Sequence, residues 1–430
     1  MDPREAVEFA IEYGRRLGAR YCEARYQRDV KVSVILKNGE PEPPSYSREC
    51  GLGIRAVVDG GMAFTSTNIL EREEIERAVA QAVKAARAAS RAVKKWVEFS
   101  EEGFEKANYT VEFMKSPVEV ELEELLKLLK HFDEVAVSSF KEAKLPGRLI
   151  SYDGWWTEKT YMNSDGAYVE SWIPRVSILF FLTALHPERG TAQRYFQLGE
   201  AGGLERIGAW KLDEQVQNEA RALERALLEG AKIEDGIYDV ILGSEVVGLL
   251  CHEASGHPQE ADRILGREAA QAGESYLKPE MFGRKIGSEH VTVIDDPTLP
   301  HSYGYYLYDD EGVKARPRYL IKEGVINELL HNRQTASVFK VKSNAAARAS
   351  AYDREPIVRM SNTYLKPGDW SLDEMLQETR RAIWIKSFEE WNIDDIRWNN
   401  RYVGLEAYLV EGGEVKKVLR DPVLEATTEK

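Results

Sequence analysis

The run His252-Glu253-Ala254-Ser255-Gly256-His257 constrains this chain more than any other stretch. It sets a carboxylate between two imidazoles, the residue set that a hydrolytic zinc site needs. In the familiar H-E-x-x-H pattern the histidines stand at i and i+4 and share one face of an α-helix. Here they stand at i and i+5. At about 100° per residue, a regular helix would leave the two rings about 140° apart and unable to meet at one ion. A local π-turn, closed by an i→i+5 hydrogen bond, realigns them, and such bulges favour functional sites. Gly256 lies just before the second histidine, where backbone distortion costs least. The spacing therefore predicts a helix that widens over 252–257. The apolar run Val246-Val247-Gly248-Leu249-Leu250-Cys251 leads into the motif with Ser244 as its N-cap, as a buried site helix should.

The rest of the chain supplies the setting. Its 430 residues give length for two domains and a large core. We place the first at 1–231 and the second at 237–430, across the polar linker Lys232–Gly236. A net charge of −14 argues against a nucleic-acid surface, which needs clustered Lys and Arg. Three cysteines, Cys22, Cys50 and Cys251, are too few and too odd in number for a disulfide framework and suit a reducing compartment. The N-terminus does not read as a signal peptide, and the most apolar run, Val176–Leu185, is too short to span a bilayer. A soluble, cytoplasmic protein with no membrane partner is the expectation.

Local signals predict mixed architecture. Asp2, Pro3 and Glu5 open a helix that runs to about Arg16. Strand signals at 31–36, 52–58 and 62–67 are separated by the turns Asn38-Gly39 and Asp59-Gly60-Gly61. Helices are expected at 71–95, 118–132 and 213–230, and antiparallel strands over 148–185. Beyond the strand at 238–242, strands are expected at 291–294, 318–321, 325–330 and 405–411. Short helices fall near 334–341 and 371–381, and 263–290 reads as a long loop or lid. Tyr303, Tyr305, Tyr306 and Tyr308 read as a strand packed in the core.

Several residues allow two readings. Glu260 and Asp262 either fix imidazole tautomers through N–H···carboxylate bonds or are solvated loop acids. Cys251 reads as a small buried hydrophobe. His290 and His301 could each add a metal ligand, although surface roles are simpler. Asp309-Asp310-Glu311-Gly312 reads as an acidic cluster near the site or as a turn.

Further motifs carry a resemblance. Gly51–Leu70 (GLGIRAVVDGGMAFTSTNIL), Asn163-Ser164-Asp165-Gly166, HEASGHPQEAD at 252–262, TLPHSYGYYLYDDEG at 298–312, MSNTYLKPGD at 360–369 and LEAYLVEGGEV at 405–415 follow one another in order. With them the chain resembles the TldD/PmbA family of zinc peptidases, specifically the TldD-type subunit that bears H-E-x-x-x-H. The resemblance implies an α+β fold of two domains, an N-terminal α/β sandwich-like domain and a mostly antiparallel C-terminal domain carrying the metal-site helix. It implies Zn2+ held partly by His252 and His257, with Glu253 activating a bound water. It also implies a peptide substrate taken up as an added strand, and pairing as a homo-oligomer or as a heterodimer with a PmbA-like subunit. Two departures stand out: Ala261 replaces a usual glycine, and no cysteine follows Cys251 to act as the family's third, C-terminal ligand. Three readings follow: a sequence cut short, another ligand in place of the cysteine, or a weakly held zinc. The expected function is a zinc-dependent peptidase of unstructured peptides, and its rival is a non-catalytic scaffold subunit with an incomplete metal site.

Overall fold

Period-two alternation along a few long segments builds the first layer. The computed structural model describes residues 1–93, 95–268 and 273–429. Strands Gly61–Thr67, Ser45–Val58, Tyr21–Lys37, Lys144–Asn163 and Tyr168–His186 lie side by side in that order, each antiparallel to the next. The free edge of Tyr168–His186 is shared between Lys106–Thr110, parallel to its start, and Gly190–Ala201, antiparallel to the rest. Two hairpins close as the sequence predicts. Asn38 and Gly39 have φ of 53° and 85°, and Asp59 and Gly60 have 47° and 77°. Positive φ at both central positions is what a two-residue turn requires to match strand twist.

The two faces of this sheet differ. One is apolar. Ala24, Leu52, Ile54 and Ala56 pack under the helices Pro3–Arg16 and Arg72–Ala89. Ile150, Tyr152, Val176, Ile178 and Phe180 pack under Leu122–Ser139 and Leu212–Glu229. Asp2 caps the first helix by accepting the Glu5 N–H at 2.9 Å. The other face is polar yet buried, with Glu23, Arg25, Gln27, Asp29, Arg55 and Thr157 all shielded from solvent. Loops of the C-terminal half cover it.

One ion-pair network fastens this cover. Arg55, 1% exposed, donates from Nη2 to Glu23 Oε2 at 3.0 Å on its own sheet. The same nitrogen reaches Glu311 Oε1 at 2.5 Å in the C-terminal half. Glu311 also accepts the Arg333 N–H at 2.7 Å, and Arg333 donates onward to Tyr21 Oη and Asp165. Beside it, Lys159 donates to Asp310 at 2.7 Å. The acidic run at 309–312 is therefore a docking turn. Asp309 accepts the N–H groups of Glu311, Val313 and Ala347, which holds the turn in shape.

The C-terminal half is built of small sheets. Asp239–Leu242 lies parallel to Arg381–Ile385, which continues antiparallel through Ala407–Glu411 and Glu414–Leu419. Phe388–Ile393, Asn399–Gly404 and Val423–Thr427 form a second antiparallel sheet. Val325–Ile326, Arg318–Lys322, Val293–Asp295 and Thr363–Leu365 form a third. The mixed, mostly antiparallel α+β class expected from the sequence is what the structure has. Among the described residues, no helix is long and apolar enough to cross a membrane.

Three local expectations need correction. The helix predicted at 118–132 spans Leu122–Ser139, because Glu121 is still extended at ψ 134°. Ser244 is the first helical residue and not the cap. Gly243 takes the cap because a Cβ there would stand 2.2 Å from the Lys386 carbonyl oxygen. The tyrosine run 303–308 is not a strand: the chain turns at Ser302, where the Tyr305 N–H bonds its carbonyl at 3.1 Å, which breaks the alternation. The 263–290 segment holds a 3-10 turn, Pro279–Met281, within mostly irregular chain, and its residues 269–272 lie outside those described.

Replacing Arg55 with Met should lower stability by about 3–5 kcal/mol, since it strands two buried carboxylates. Urea unfolding measures this, and a loss below about 1 kcal/mol would show that the network is not a lock. A pH effect follows from His331, which is 5% exposed and bonded to Thr335 Oγ1 at 3.1 Å. Burial pulls its pKa down to about 4, from 6.5. The unfolded chain therefore takes up this proton first, so the stability involved is whole above pH 6.5 and is lost as pH falls towards 4. His331→Gln should flatten that acid limb, by at most about 3 kcal/mol.

Candidate metal centre

The helix that leads into the motif spans Ser244–Cys251, and Cys251 is 1% exposed among Ala261, Tyr276, Leu277 and Val293. Burial pushes its thiol up to about 12, so it packs as a neutral hydrophobe. At His252 the helix widens. Residues His252–Gly256 form a π-turn, closed by the His257 N–H on the His252 carbonyl. That is the i→i+5 bond the spacing demands. Pro258, which has no N–H, follows in a 3-10 turn over His257–Gln259 and ends the helix.

Gly256 serves this turn in a way the sequence does not reveal. Its φ of −56° is ordinary for a helix. The glycine is there for space, since a Cβ would lie 2.6 Å from Met360 Sδ. Gln259, fully buried, pins the turn from below by donating to the Leu320 and Glu328 carbonyls at 2.7 and 2.9 Å. Tyr276 Oη donates to the Ala254 carbonyl at 3.3 Å.

The widened turn brings the two imidazoles together. Their ring centroids are 4.7 Å apart at 88°. Ligand atoms of His252, Glu253 and His257 all lie within 4.8 Å of one another. Burial and the neighbouring His257 hold the His252 pKa down, so that ring favours the neutral form with a free lone pair. Glu260 is fully buried and lies 3.1 Å from His257 Nδ1. An Nδ1–H donated to this carboxylate leaves Nε2 as the free donor atom. Hydrogen bonding to His257, together with Arg263 and Arg359, keeps the Glu260 pKa low despite burial. Asp262 does not join this arrangement. It accepts the N–H groups of Arg263 and Val358, with no imidazole among its hydrogen-bond partners in the described residues, and it is buried, so it matches neither the imidazole partner nor the solvated loop acid that the sequence left open. Burial and then Glu260 push Asp262 up to about 6. Among the described residues, His290 and His301 are not in the cluster.

Sequence reasoning missed Arg397. This residue is 6% exposed, sits in the left-handed region at φ 62°, and pairs through Nη1 with Glu253 Oε2. The pair leaves Glu253 Oε1 on the side of His252, 3.9 Å from Nε2. Thr428 Oγ1 secures the Arg397 carbonyl at 3.1 Å from behind. Nothing in Asp394-Asp395-Ile396-Arg397 marks the arginine, which lies 144 residues from its partner. The donor set of two imidazoles and a carboxylate suits a divalent zinc-type ion. Glu260→Gln should weaken retention of such an ion about 10–100-fold, as measured by competition with a chelator. Unchanged retention would mean that Glu260 does not set the His257 tautomer.

Known proteins share this organisation. Family models described as PmbA/TldA metallopeptidase domain 1, central domain and C-terminal domain match residues 22–86, 115–228 and 235–429. A protein named a metalloprotease in Methanocaldococcus jannaschii is 31% identical over 97% of this chain and 88% of its own length. A Haemophilus influenzae protein named a metalloprotease TldD homolog is 26% identical over 94% of this chain and 82% of its own. The fold is also that of TldE from Thermococcus kodakarensis, with a TM-score of 0.76 at 19% identity over 98% of this chain and 91% of that one. A Thermotoga maritima protein titled a modulator of a DNA gyrase gives a TM-score of 0.78 at 18% identity, over 99% and 92%. The chain belongs to the PmbA/TldD metallopeptidase family.

Proposed function

We propose that this protein is a zinc-dependent peptidase that hydrolyses unstructured peptides or protein segments. In this reading His252 and His257 hold the ion and Glu253 is the general base. The observation that carries it is the π-turn, which points two imidazoles and a carboxylate at one place. The metalloprotease names of the relatives support the same reaction class. Zinc, when bound, supplies a water of pKa near 7 and polarises the scissile carbonyl. Glu253 Oε1 takes up a proton and returns it to the leaving amine, while Arg397 fixes Oε2. Glu260 holds the His257 ring in register. The substrate is an extended peptide, and a PmbA-like subunit or a second copy of this chain is the partner.

A second reading is a binding or scaffold subunit. The Arg397–Glu253 pair favours it, because a guanidinium already neutralises the proposed base. Zinc per chain, measured by atomic emission on protein purified without chelators, separates the two. About one equivalent, lost in His252→Ala, supports the peptidase. Absent zinc favours the scaffold. With zinc loaded, Glu253→Gln should abolish casein hydrolysis while keeping the metal, and retained hydrolysis would remove Glu253 from its role.

A further inference from the structure

A second cavity, of about 400 Å³, lies where the polar face of the large sheet meets the C-terminal loops. Its size falls within the range of about 300–1,000 Å³ common for small-molecule sites. None of the metal-centre residues lines it. One wall is the sheet, with Gln27, Thr157, Lys159 and Arg175. The other wall includes Tyr303, Tyr306 and Arg348.

The charges in it do not balance locally. Arg175 spends its hydrogen bonds on carbonyls, donating to Tyr303 O at 2.8 Å and Tyr305 O at 3.3 Å. Arg348 donates to the Met360 carbonyl at 2.9 Å and lies over the Tyr306 ring at 5.6 Å. Among the described residues, neither guanidinium is ion-paired to a carboxylate. The acids nearby are engaged elsewhere: Asp310 with Lys159, Asp309 with three backbone N–H groups, and Asp29 with Gln27, Trp155 and Thr157. The two cations also feel each other. Burial, followed by Arg348, pulls the Arg175 pKa down to about 10, so this guanidinium is still charged at neutral pH.

A third group completes the pattern. Gln27 is 2% exposed, and its Oε1 has no hydrogen-bond partner. Its amide cannot be turned round, because Nε2 donates to Asp29 Oδ2 at 2.6 Å and an oxygen there would face a carboxylate. A buried acceptor without a donor and two cations without an anion ask for one complement. That complement carries a carboxylate and an N–H together, as a peptide terminus does.

We propose that this cavity binds the C-terminal carboxylate of a short peptide, with Arg175 and Arg348 receiving the carboxylate and Gln27 Oε1 accepting a peptide N–H. The site is separate from the metal centre and does not depend on hydrolysis there. It is nevertheless mechanically close to it. Arg348 grips the carbonyl of Met360, whose N–H bonds Glu260 Oε1 at 3.2 Å, and whose sulfur backs Gly256.

Isothermal titration of the full chain with N-acetylated dipeptides tests this. The panel spans small, aromatic and acidic C-terminal residues, each as free acid and as carboxamide. At least one free acid should bind, with its amide about tenfold or more weaker, and Arg348→Gln should lose that binding by a similar factor. Arg348→Lys should restore part of it, which a merely misfolded variant would not. The binding should persist after the protein is stripped of metal with a chelator, so the result stands apart from the peptidase reading. No binding by any acid, equal binding of acid and amide, undiminished binding in Arg348→Gln, or inorganic phosphate matching the best acid would each overturn the proposal.

Discussion

Arg55 joins the large sheet to the loops of the C-terminal half. A guanidinium that is 1% exposed is tolerable only because carboxylates from both sides meet it, Glu23 from the sheet and Glu311 from the docking turn. This contact explains why one face of the sheet is polar and still buried. Apart from a small apolar cluster around Ile173 and Tyr306, that face does not rely on hydrophobic burial, which has no direction. It packs by charge and hydrogen bonding, which fix orientation and register. The 309–312 turn, the 347–349 segment that bonds Asp309 and Asp310, and the cavity beside them all take their places from this lock.

The metal centre depends on a different kind of support. Its π-turn is anchored by the adjacent Gln259 to the third small sheet and held by groups remote in sequence: Tyr276 on the Ala254 carbonyl, Met360 against Gly256 and Arg397 on Glu253. A π-turn is a rare helical geometry, and surrounding contacts of this kind over-determine it. The electrostatics follow the same plan. Glu260, fully buried, is neutralised by Arg263 and Arg359 and still presents an oxygen to His257.

Much of this was legible in the sequence, for local reasons. The i+5 spacing of the histidines implied the wide turn. Asn38-Gly39 and Asp59-Gly60 implied hairpins, because only such residues take positive φ cheaply. Asp2 and Pro3 implied the first helix and Arg16 lies at its end. What escaped is non-local. Arg397 is unremarkable until the fold carries it to Glu253. Glu260 and Asp262 look alike on paper, yet only the first faces an imidazole, because the backbone turns at Glu260 from a 3-10 turn into the short helix Ala261–Ile264. The tyrosines at 303–308 alternate like a strand, but a turn hydrogen bond decides against it. Gly256 reads in sequence as a flexible point, whereas its absent side chain is what matters.

The family's first two segments, 22–86 and 115–228, are separate in sequence but share one sheet, since Tyr21–Lys37 pairs with Lys144–Asn163 from Glu23↔Asn163 to Lys37↔Leu149. Cutting the chain between them would bare one whole side of a 17-residue strand. Its unmet N–H and C=O groups would then form a template for pairing with other chains. The smallest fragment that keeps this side paired must therefore reach at least to Asn163, so modularity in sequence does not translate into modularity in solubility.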